Sequence, residues 1–264
     1  MKCCRIHLLM LACLLFAGCA ERARSISHSD YAPQGSYGRT SPSDRVSDPD
    51  FQYRGELSEF DVLGIGRDEI ASEADIQRTL DNSKPVKLHR GSSILLIQSG
   101  ALFPDGPMVA ELSKHFTVVP FSGVPVLRRS GRRAFETESP DPESYSKNLR
   151  LTAARGGNDM ILCYWGMLES ESEHLPTKTV SWVPIVNWAV PDEKQHMRIQ
   201  LKLALLDVRS GNWSVLSPKP FEDVRISTSP RRGAVDQRQV ERLKQLAYEA
   251  GVAELIHTHS DLAL

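Results

Sequence analysis

The sequence predicts an α/β fold of the α+β kind with two layers, in which one mixed sheet of about five to six strands packs against about three to four helices. Three observations support this prediction. Residues 197–216 alternate apolar and polar side chains and then turn back on themselves, as a β-hairpin does. Residues 93–121 contain two apolar runs separated by a helical stretch, which predicts a parallel strand–helix–strand crossover. Residues 235–256 carry one apolar stripe at helical spacing, which predicts a helix that covers the sheet.

The first nineteen residues have the pattern of a bacterial export signal. Lys2 and Arg5 precede the apolar run 8–17, which is too short to span a bilayer and suits the core of a signal peptide. Residues 15–19, LFAGC, resemble the lipobox of bacterial lipoproteins. The resemblance implies cleavage directly before Cys19, acylation of that residue by chains such as palmitate, and stable attachment to a membrane of the cell envelope. An ordinary cleaved signal followed by a free cysteine is the alternative.

The residues that follow the cysteine predict in which membrane the protein is anchored and how far the domain lies from it. Ala20 occupies the position after the cysteine, which by analogy with enteric lipoproteins implies the outer membrane and a domain that faces the periplasm. Residues 19–55 are rich in Ser, Pro, Gly, Asp and Arg without apolar periodicity, so we expect a disordered tether with a mean reach of about 30 Å. The chain is therefore divided into a signal peptide at 1–18, the lipidated cysteine and tether at 19–55, and a single α/β domain at 56–264.

Turn-forming residues divide the rest of the domain into further elements. A helix is expected at 68–80, and 93–98 is a continuous apolar run of the kind that strands buried on both faces have. Asp105 is expected to cap the helix between the two parallel strands. The other expected elements are a strand at 117–121, a helix at 143–155, a strand at 159–167 and a polar loop at 219–232.

Two short motifs resemble those of a known group of envelope proteins. In residues 153–162, AARGGNDMIL, a predicted helix ends at glycine and a strand follows an aspartate; in residues 205–211, LLDVRSG, a strand closes on a D-x-R-[ST]-G turn. Both resemble envelope proteins of the TolB amino-terminal and curli-secretion lipoprotein type. The resemblance implies a two-layer mixed α/β domain that is used for protein contacts without catalysis. A channel is not expected, because residues 179–190 offer a single apolar segment interrupted by Pro184.

Two segments are candidate surfaces for a partner or a membrane. Trp182 and Trp188 stand in the apolar segment 179–190 and could form an exposed patch, although an edge strand folded onto the core is the alternative. The predicted loop at 122–142 concentrates arginines that would suit anionic headgroups or another polyanion, although a solvated loop without a partner is the alternative. These arginines are Arg128, Arg129, Arg132 and Arg133.

The sequence contains none of the common local motifs of a catalytic centre. H-E-x-x-H, G-x-S-x-G and Walker-type patterns are all absent from it. Cys163 lies in an apolar run and is expected to be a small buried hydrophobe, and Ser99 lacks the glycine that precedes the serine of a nucleophile elbow. His257, His259 and Asp261 could chelate a metal in principle but are expected to form a solvated tail. We predict no cofactor and no metal site.

Composition and the export signal together limit the classes of function that the protein can have. The chain is 41% hydrophobic and 25% charged with a formal net charge of -1 at pH 7, which is typical of a globular protein and gives no indication of nucleic-acid binding. We expect a lipoprotein attached to a membrane through Cys19, which acts as a non-catalytic adaptor or binding module for an envelope partner. The alternative is an envelope hydrolase, such as an aminopeptidase, whose site is assembled from residues distant in sequence.

Overall fold

Seven strands and five helices make up the part of the chain that the structure describes. This computed structural model describes residues 22–28, 55–66, 71–125, 142–174, 193–227 and 232–260. The strands are β1 (Arg22–Ser25), β2 (Ser93–Gln98), β3 (Thr117–Phe121), β4 (Met160–His174), β5 (Glu193–Asp207), β6 (Trp213–Leu216) and β7 (Phe221–Ser227). The helices are α1 (Glu59–Leu63), α2 (Glu73–Asn82), α3 (Gly106–Ser113), α4 (Pro142–Arg155) and α5 (Arg232–His259).

All seven strands join one open mixed sheet, in which β3, β2, β4, β5 and β6 are successive neighbours. β2 pairs in parallel with β3 on one side and with β4 on the other, which is the predicted crossover. β4 and β5 pair antiparallel along fifteen residues each, from Met160 opposite Asp207 to His174 opposite Glu193. Beyond the ends of β2 and β6, β1 pairs with the remaining edge of β4 and β7 with that of β5. The predicted α/β class with a mixed sheet is confirmed.

Helices cover both faces of the parallel part of the sheet, one layer more than the sequence predicted. Met108 of α3 and Leu243 of α5 belong to the larger buried cluster, together with Ile94 and Leu96 of β2. α1 and α4 contribute to the second cluster, on the opposite face, with Leu95 and Ile97 of β2. The continuous apolar run of β2 is explained by this burial on both faces.

Two segments that were predicted to be irregular are strands. β1 lies inside the predicted tether, so the prediction of disorder does not hold for residues 22–28, while 29–54 lie outside the described residues. β7 lies inside the predicted polar loop at 219–232, and that prediction is wrong. The physical reason is the same in both cases. β4 and β5 are longer than predicted, and their free edges offer backbone donors and acceptors to segments whose own sequences are only weakly strand-like.

Candidate functional site

Residues 22–28, which we call the strap, lie against the sheet near the carboxyl end of β2. β1 pairs antiparallel with β4, with Arg22 opposite Ser170 and Ser25 opposite Met167. A short 3-10 turn, Ile26–His28, then carries the chain toward Ser99 at the end of β2. In open α/β sheets this end of the parallel strands is the usual place for a ligand. Here a segment of the chain itself occupies it.

A buried isoleucine and two serine hydroxyls fix the strap to the body of the protein. Ile26 is 1% exposed and packs directly on Gly166 of β4, where an added Cβ would lie 2.4 Å from the Ile26 Cδ1 atom. The Ser27 hydroxyl donates a hydrogen bond to the Ser99 carbonyl oxygen at 2.6 Å and accepts one from the Gln98 side-chain amide at 3.1 Å. The Ser25 hydroxyl bonds the Glu56 carboxylate. The strap is therefore held by apolar burial and by polar contacts at once.

A cluster of five polar side chains lies beneath the strap, and we call it the polar cluster: Gln98, Asp105, Tyr164, Lys244 and Tyr248. The Lys244 ammonium donates to the Asp105 carboxylate at 2.9 Å and to the Ile26 carbonyl oxygen of the strap at 3.1 Å. The Tyr248 hydroxyl donates to the same carboxylate at 2.5 Å. Asp105 was predicted to cap α3, but its side chain makes no capping hydrogen bond and binds Lys244 and Tyr248 instead.

The second half of the polar cluster joins β2 to the loop that precedes α3. The Tyr164 hydroxyl and the Asp105 backbone N–H both donate to the Gln98 side-chain oxygen, at 2.6 and 2.7 Å. The rings of Tyr164 and Tyr248 meet edge to face with centroids 5.8 Å apart. One connected set of hydrogen bonds thus ties together the strap, β2, β4 and α5.

Burial raises the pKa of both tyrosines in the polar cluster well above the ordinary value. Desolvation is the main cause for each, and the nearby Asp105 carboxylate adds to it for Tyr164. Both hydroxyls are therefore neutral at physiological pH and act as hydrogen-bond donors. The charged and hydroxyl groups of the cluster are bound to one another, and Lys244 also binds the strap.

Substitution of Gly166 by alanine is expected to release the strap while the sheet stays folded. The new methyl group would overlap the Ile26 side chain, whereas alanine itself is compatible with a strand. Because Ile26 loses its buried position, hydrogen-exchange protection of residues 22–28 should fall at least tenfold, which corresponds to roughly 1.5 kcal/mol of lost burial. Gly106→Ala is the matched control, since nothing lies within 4 Å of its added Cβ. Unchanged protection in the Gly166 variant would contradict this account of the strap.

The register of β1 shows at which end of the sheet the chain enters the domain. Followed from Ser25 back to Arg22, the strap runs beside β4 toward the pair formed by His174 and Glu193. We call this end of the β4–β5 hairpin, residues 170–174 and 193–197, the anchor end. Three peptide steps separate Cys19 from Arg22, so their Cα atoms are at most about 11 Å apart. Ser170 stands about 13 Å from His174 along the strand.

The residues predicted to meet a membrane or partner lie outside the described residues. This holds for Cys19, for Trp182 and Trp188, and for the four arginines at 128, 129, 132 and 133. The tryptophans belong to the connection 175–192 between β4 and β5, which leaves and re-enters the sheet at the anchor end. The arginines belong to the connection between β3 and α4. Sequence reasoning missed the strap, whose single strongly apolar residue, Ile26, gave no periodic signal.

The other residues considered for chemistry have structural roles in the described part of the chain. The Ser99 hydroxyl is buried, accepts from the Leu57 N–H at 2.8 Å and donates to the Leu57 carbonyl oxygen. Cys163 is fully buried, and burial raises the pKa of its thiol, so it is the expected buried hydrophobe. Among the described residues no group of three or more His, Cys, Asp or Glu side chains could hold a metal ion. His257 and His259 belong to α5, and Asp261 lies outside the described residues.

The comparison with protein families identifies a family of bacterial lipoproteins. A model of the YafT bacterial lipoprotein family matches residues 58–258, which is most of the chain. No curated protein sequence matches it. Among solved structures, a lipoprotein from Neisseria meningitidis, GNA1162, matches with 15% sequence identity and a TM-score of 0.24, covering 58% of this chain and 98% of its own. Within the described ranges, no helix is long and apolar enough to cross a membrane.

Proposed function

The chain belongs to the YafT bacterial lipoprotein family, and from this premise we propose that it is a non-catalytic adaptor or binding module held at the outer membrane by acyl chains on Cys19. Residues 1–18 act as its signal peptide, and the domain that starts near residue 56 faces the periplasm. Several acyl chains on one cysteine give stable attachment, because each buried CH₂ contributes about 0.8 kcal/mol. The TolB-like relationship suggested by the two motifs belongs to this proposal.

The observation that supports the proposal best is the register of the strap. Because Arg22 is already paired with Ser170, the lipidated residue is within about 11 Å of the sheet. A disordered tether of thirty-odd residues would instead have given a mean reach of about 30 Å. The docked strap therefore holds the domain close to the bilayer, with the anchor end toward the lipid. The function of such an adaptor is to hold the domain in a defined orientation, with one end of the sheet at the membrane and the opposite end away from it.

The tryptophans and arginines predicted from the sequence would add contacts to the membrane or to a partner. Trp182 and Trp188 are attached to the anchor end through the connection between β4 and β5, and tryptophan is favoured at membrane–water interfaces. We propose that they contact the bilayer interface beside the acyl chains. The four arginines between β3 and α4 would then meet anionic headgroups or an acidic partner protein. No described observation favours the envelope hydrolase that the sequence left as an alternative.

Cys19→Ser is expected to abolish palmitate incorporation and to move the protein from the membrane pellet to the soluble fraction. Serine removes the thiol that is acylated and leaves the apolar run 8–17 of the signal unchanged. Metabolic labelling with palmitate followed by membrane flotation measures both effects in the same cells. Cys13→Ser is the matched control, because that cysteine lies in the part of the signal that is removed, so labelling and flotation should stay as in the wild type. Equal labelling of the Cys19 variant and the wild type would rule out the proposed attachment.

A further inference from the structure

The surface that the strap covers combines a strand edge with one apolar pocket, and we call it the seat. Its base is the edge of β4 at 167–170, which pairs through the backbone with residues 22–25. Gly166 leaves the space for the side chain of Ile26, which is 1% exposed. Domains that bind an extended peptide as an added strand use the same combination, in which main-chain pairing gives affinity and a side-chain pocket gives specificity. The strap is therefore seated as a bound peptide would be.

Polar groups of the seat contact the residue that follows the isoleucine. The Ser27 hydroxyl donates to the Ser99 carbonyl oxygen at 2.6 Å and accepts from the Gln98 side-chain amide at 3.1 Å. The Lys244 ammonium donates to the Ile26 carbonyl oxygen at 3.1 Å. A hydroxyl satisfies both neighbours because it is a donor and an acceptor at once. The seat therefore favours a segment in which serine or threonine follows a branched apolar residue.

The seat and the strap belong to separate parts of the chain. The seat lies within residues 58–258, the range that the family model matches, whereas the strap precedes that range. Residues 29–54 connect the strap to the domain, and a connection of this length gives the strap an effective concentration on the order of millimolar. Another segment therefore displaces the strap only if it binds the seat more strongly than the strap itself does.

The edge of β4 offers a longer segment more pairing than the strap uses. β4 continues from Ser170 to His174, and no described strand pairs with this edge of β4 at 171–174. An unpaired edge of this kind is a template for a strand of another chain. Glu171 is exposed there, so a basic residue opposite it would be favoured. A segment that covers 167–174 would thus form both the contacts of the strap and additional ones.

We propose that the seat binds an extended segment of a partner protein by strand addition to β4, and that the strap fills the seat when the partner is absent. The segment carries a branched apolar residue followed by serine or threonine, with basic residues toward its amino end. The proposal rests on the adaptor role proposed above and names the contact that holds the partner. Binding of the partner would release the strap, so that residues 19–55 would separate the domain from the acyl chains in place of the three peptide steps from Cys19 to Arg22.

Fluorescent peptides and the full chain in detergent micelles test the proposal. The strap peptide is RARSISH, residues 22–28, and the extended peptide is TKTKRARSISH, which places lysines opposite positions 171 and 173 of β4. The variant Ile26→Asp leaves the seat open, because an unpaired carboxylate is not buried at Gly166. We expect this variant to bind the strap peptide saturably and the extended peptide about tenfold more tightly, as measured by fluorescence anisotropy. Absence of saturable binding, or equal affinity for the two peptides, would overturn the proposal.

Two double variants show whether the peptide occupies the seat. Ile26→Asp with Gly166→Ala should bind the extended peptide about tenfold more weakly than Ile26→Asp alone, since the added methyl group fills the isoleucine pocket. Ile26→Asp with Gly106→Ala is the matched control and should bind as Ile26→Asp does, because nothing lies within 4 Å of its added Cβ. Unchanged binding in the Gly166 double variant would place the peptide elsewhere and overturn the proposal.

Hydrogen exchange of the wild-type chain tests the displacement without any substitution. Saturation with the extended peptide should lower the protection of residues 22–28 about tenfold, because the released strap loses its buried isoleucine. Peptide binding with unchanged protection of the strap would contradict the proposal. Without peptide we expect a monomer in sedimentation, and a dimer that the peptide dissociates would identify the strap of a second copy as the occupant instead. None of these results depends on acylation of Cys19, so failure of the membrane attachment would be recognised separately.

Discussion

Gly123→Ala is expected to lower the free energy of unfolding by about 3 kcal/mol or more. Gly123 lies in the loop after β3, and a Cβ added there would lie 1.9 Å from the carbonyl oxygen of Gln98 and 2.6 Å from its carbonyl carbon. Both are backbone atoms at the end of β2, so no side-chain rotation can relieve the overlap. Gly123 must move away, and its hydrogen bonds with Gly100 and Ala101 then break.

The damage should extend to the polar cluster, because the added methyl group presses on the backbone of Gln98 and Gly123 no longer supports the end of β2. The Gln98 side chain accepts from Tyr164 and from the Asp105 backbone and donates to Ser27 of the strap. We therefore expect the strap to lose protection together with the drop in stability. Urea unfolding followed by circular dichroism measures the stability, and hydrogen exchange of residues 22–28 measures the strap.

Gly251→Ala is the matched control for Gly123→Ala. Gly251 is also buried, but it lies inside α5, and its added Cβ would meet the Leu201 and Leu203 methyl groups at 3.6 Å, an ordinary van der Waals distance. Alanine is favoured over glycine within a helix by about 1 kcal/mol, so the control should be as stable as the wild type or more so. A Gly123 variant that unfolds at the same urea concentration as the wild type would show that this close approach is not important for stability.

Local patterns were sufficient to predict the middle of the fold. The apolar run 93–98, the strand at 117–121 and the glycine after the helix at 143–155 are each encoded within a dozen residues, and the structure has β2, β3 and α4 at these positions. The hairpin of β5 and β6 follows from alternation and from the turn before Trp213. Such elements depend on periodicity and turn chemistry, which a single sequence contains.

Elements that exist because of a distant partner could not be predicted in the same way. β7 carries Glu222 and Asp223, which made its segment look like a polar loop. Its strand conformation comes from pairing with β5, where Glu222 lies directly opposite Arg198 and their charged groups are 3.6 Å apart. The strap has the same origin, since its burial requires Gly166 far along the chain. The sequence of neither segment indicates which strand of the sheet it will pair with.

The candidate site was even harder to predict, because its residues are distant from one another in the sequence. The polar cluster draws on β2, the loop before α3, β4 and α5, so its members are as far apart as Gln98 and Tyr248 in the sequence. From the sequence, Asp105 could be interpreted only by its position at the start of a helix, as a capping residue. Its actual partners, Lys244 and Tyr248, come from the other end of the chain because α5 packs across the sheet.

Raising the pH above about 10 is expected to destabilise the domain steeply, because several groups that burial keeps protonated ionise at a lower pH in the unfolded chain than in the folded protein. Burial is the main cause that raises the pKa of Tyr145 to about 12 and that of Tyr164 and Tyr248 well above their ordinary value. The pKa of the Cys163 thiol is raised by burial as well. In the unfolded chain these groups titrate near 10 for tyrosine and 8.5 for cysteine.

The sign follows from proton binding. Above these unfolded values the folded state retains protons that the unfolded state has lost, so the stability present at lower pH is lost as the pH rises toward the folded pKa values. Each such group lowers the free energy of unfolding by about 1.4 kcal/mol per pH unit in that window. The four groups together should therefore reduce the stability by several kcal/mol between pH 10 and about 11.

Urea titrations at fixed pH values from 8 to 11.5 measure this dependence, and Tyr145→Phe isolates one contribution. Tyr145 is only partly buried against the second core cluster, and the tyrosine hydroxyl is the atom that phenylalanine removes. The variant should lose stability with pH less steeply than the wild type above pH 10, by about 1.4 kcal/mol per unit, because one group fewer is ionised on unfolding. Parallel curves for the two proteins would exclude Tyr145 as one of these groups. A domain equally stable at pH 8 and pH 11 would show that Tyr164 and Tyr248 are in contact with water. The description of the strap as a buried contact above them would then be wrong.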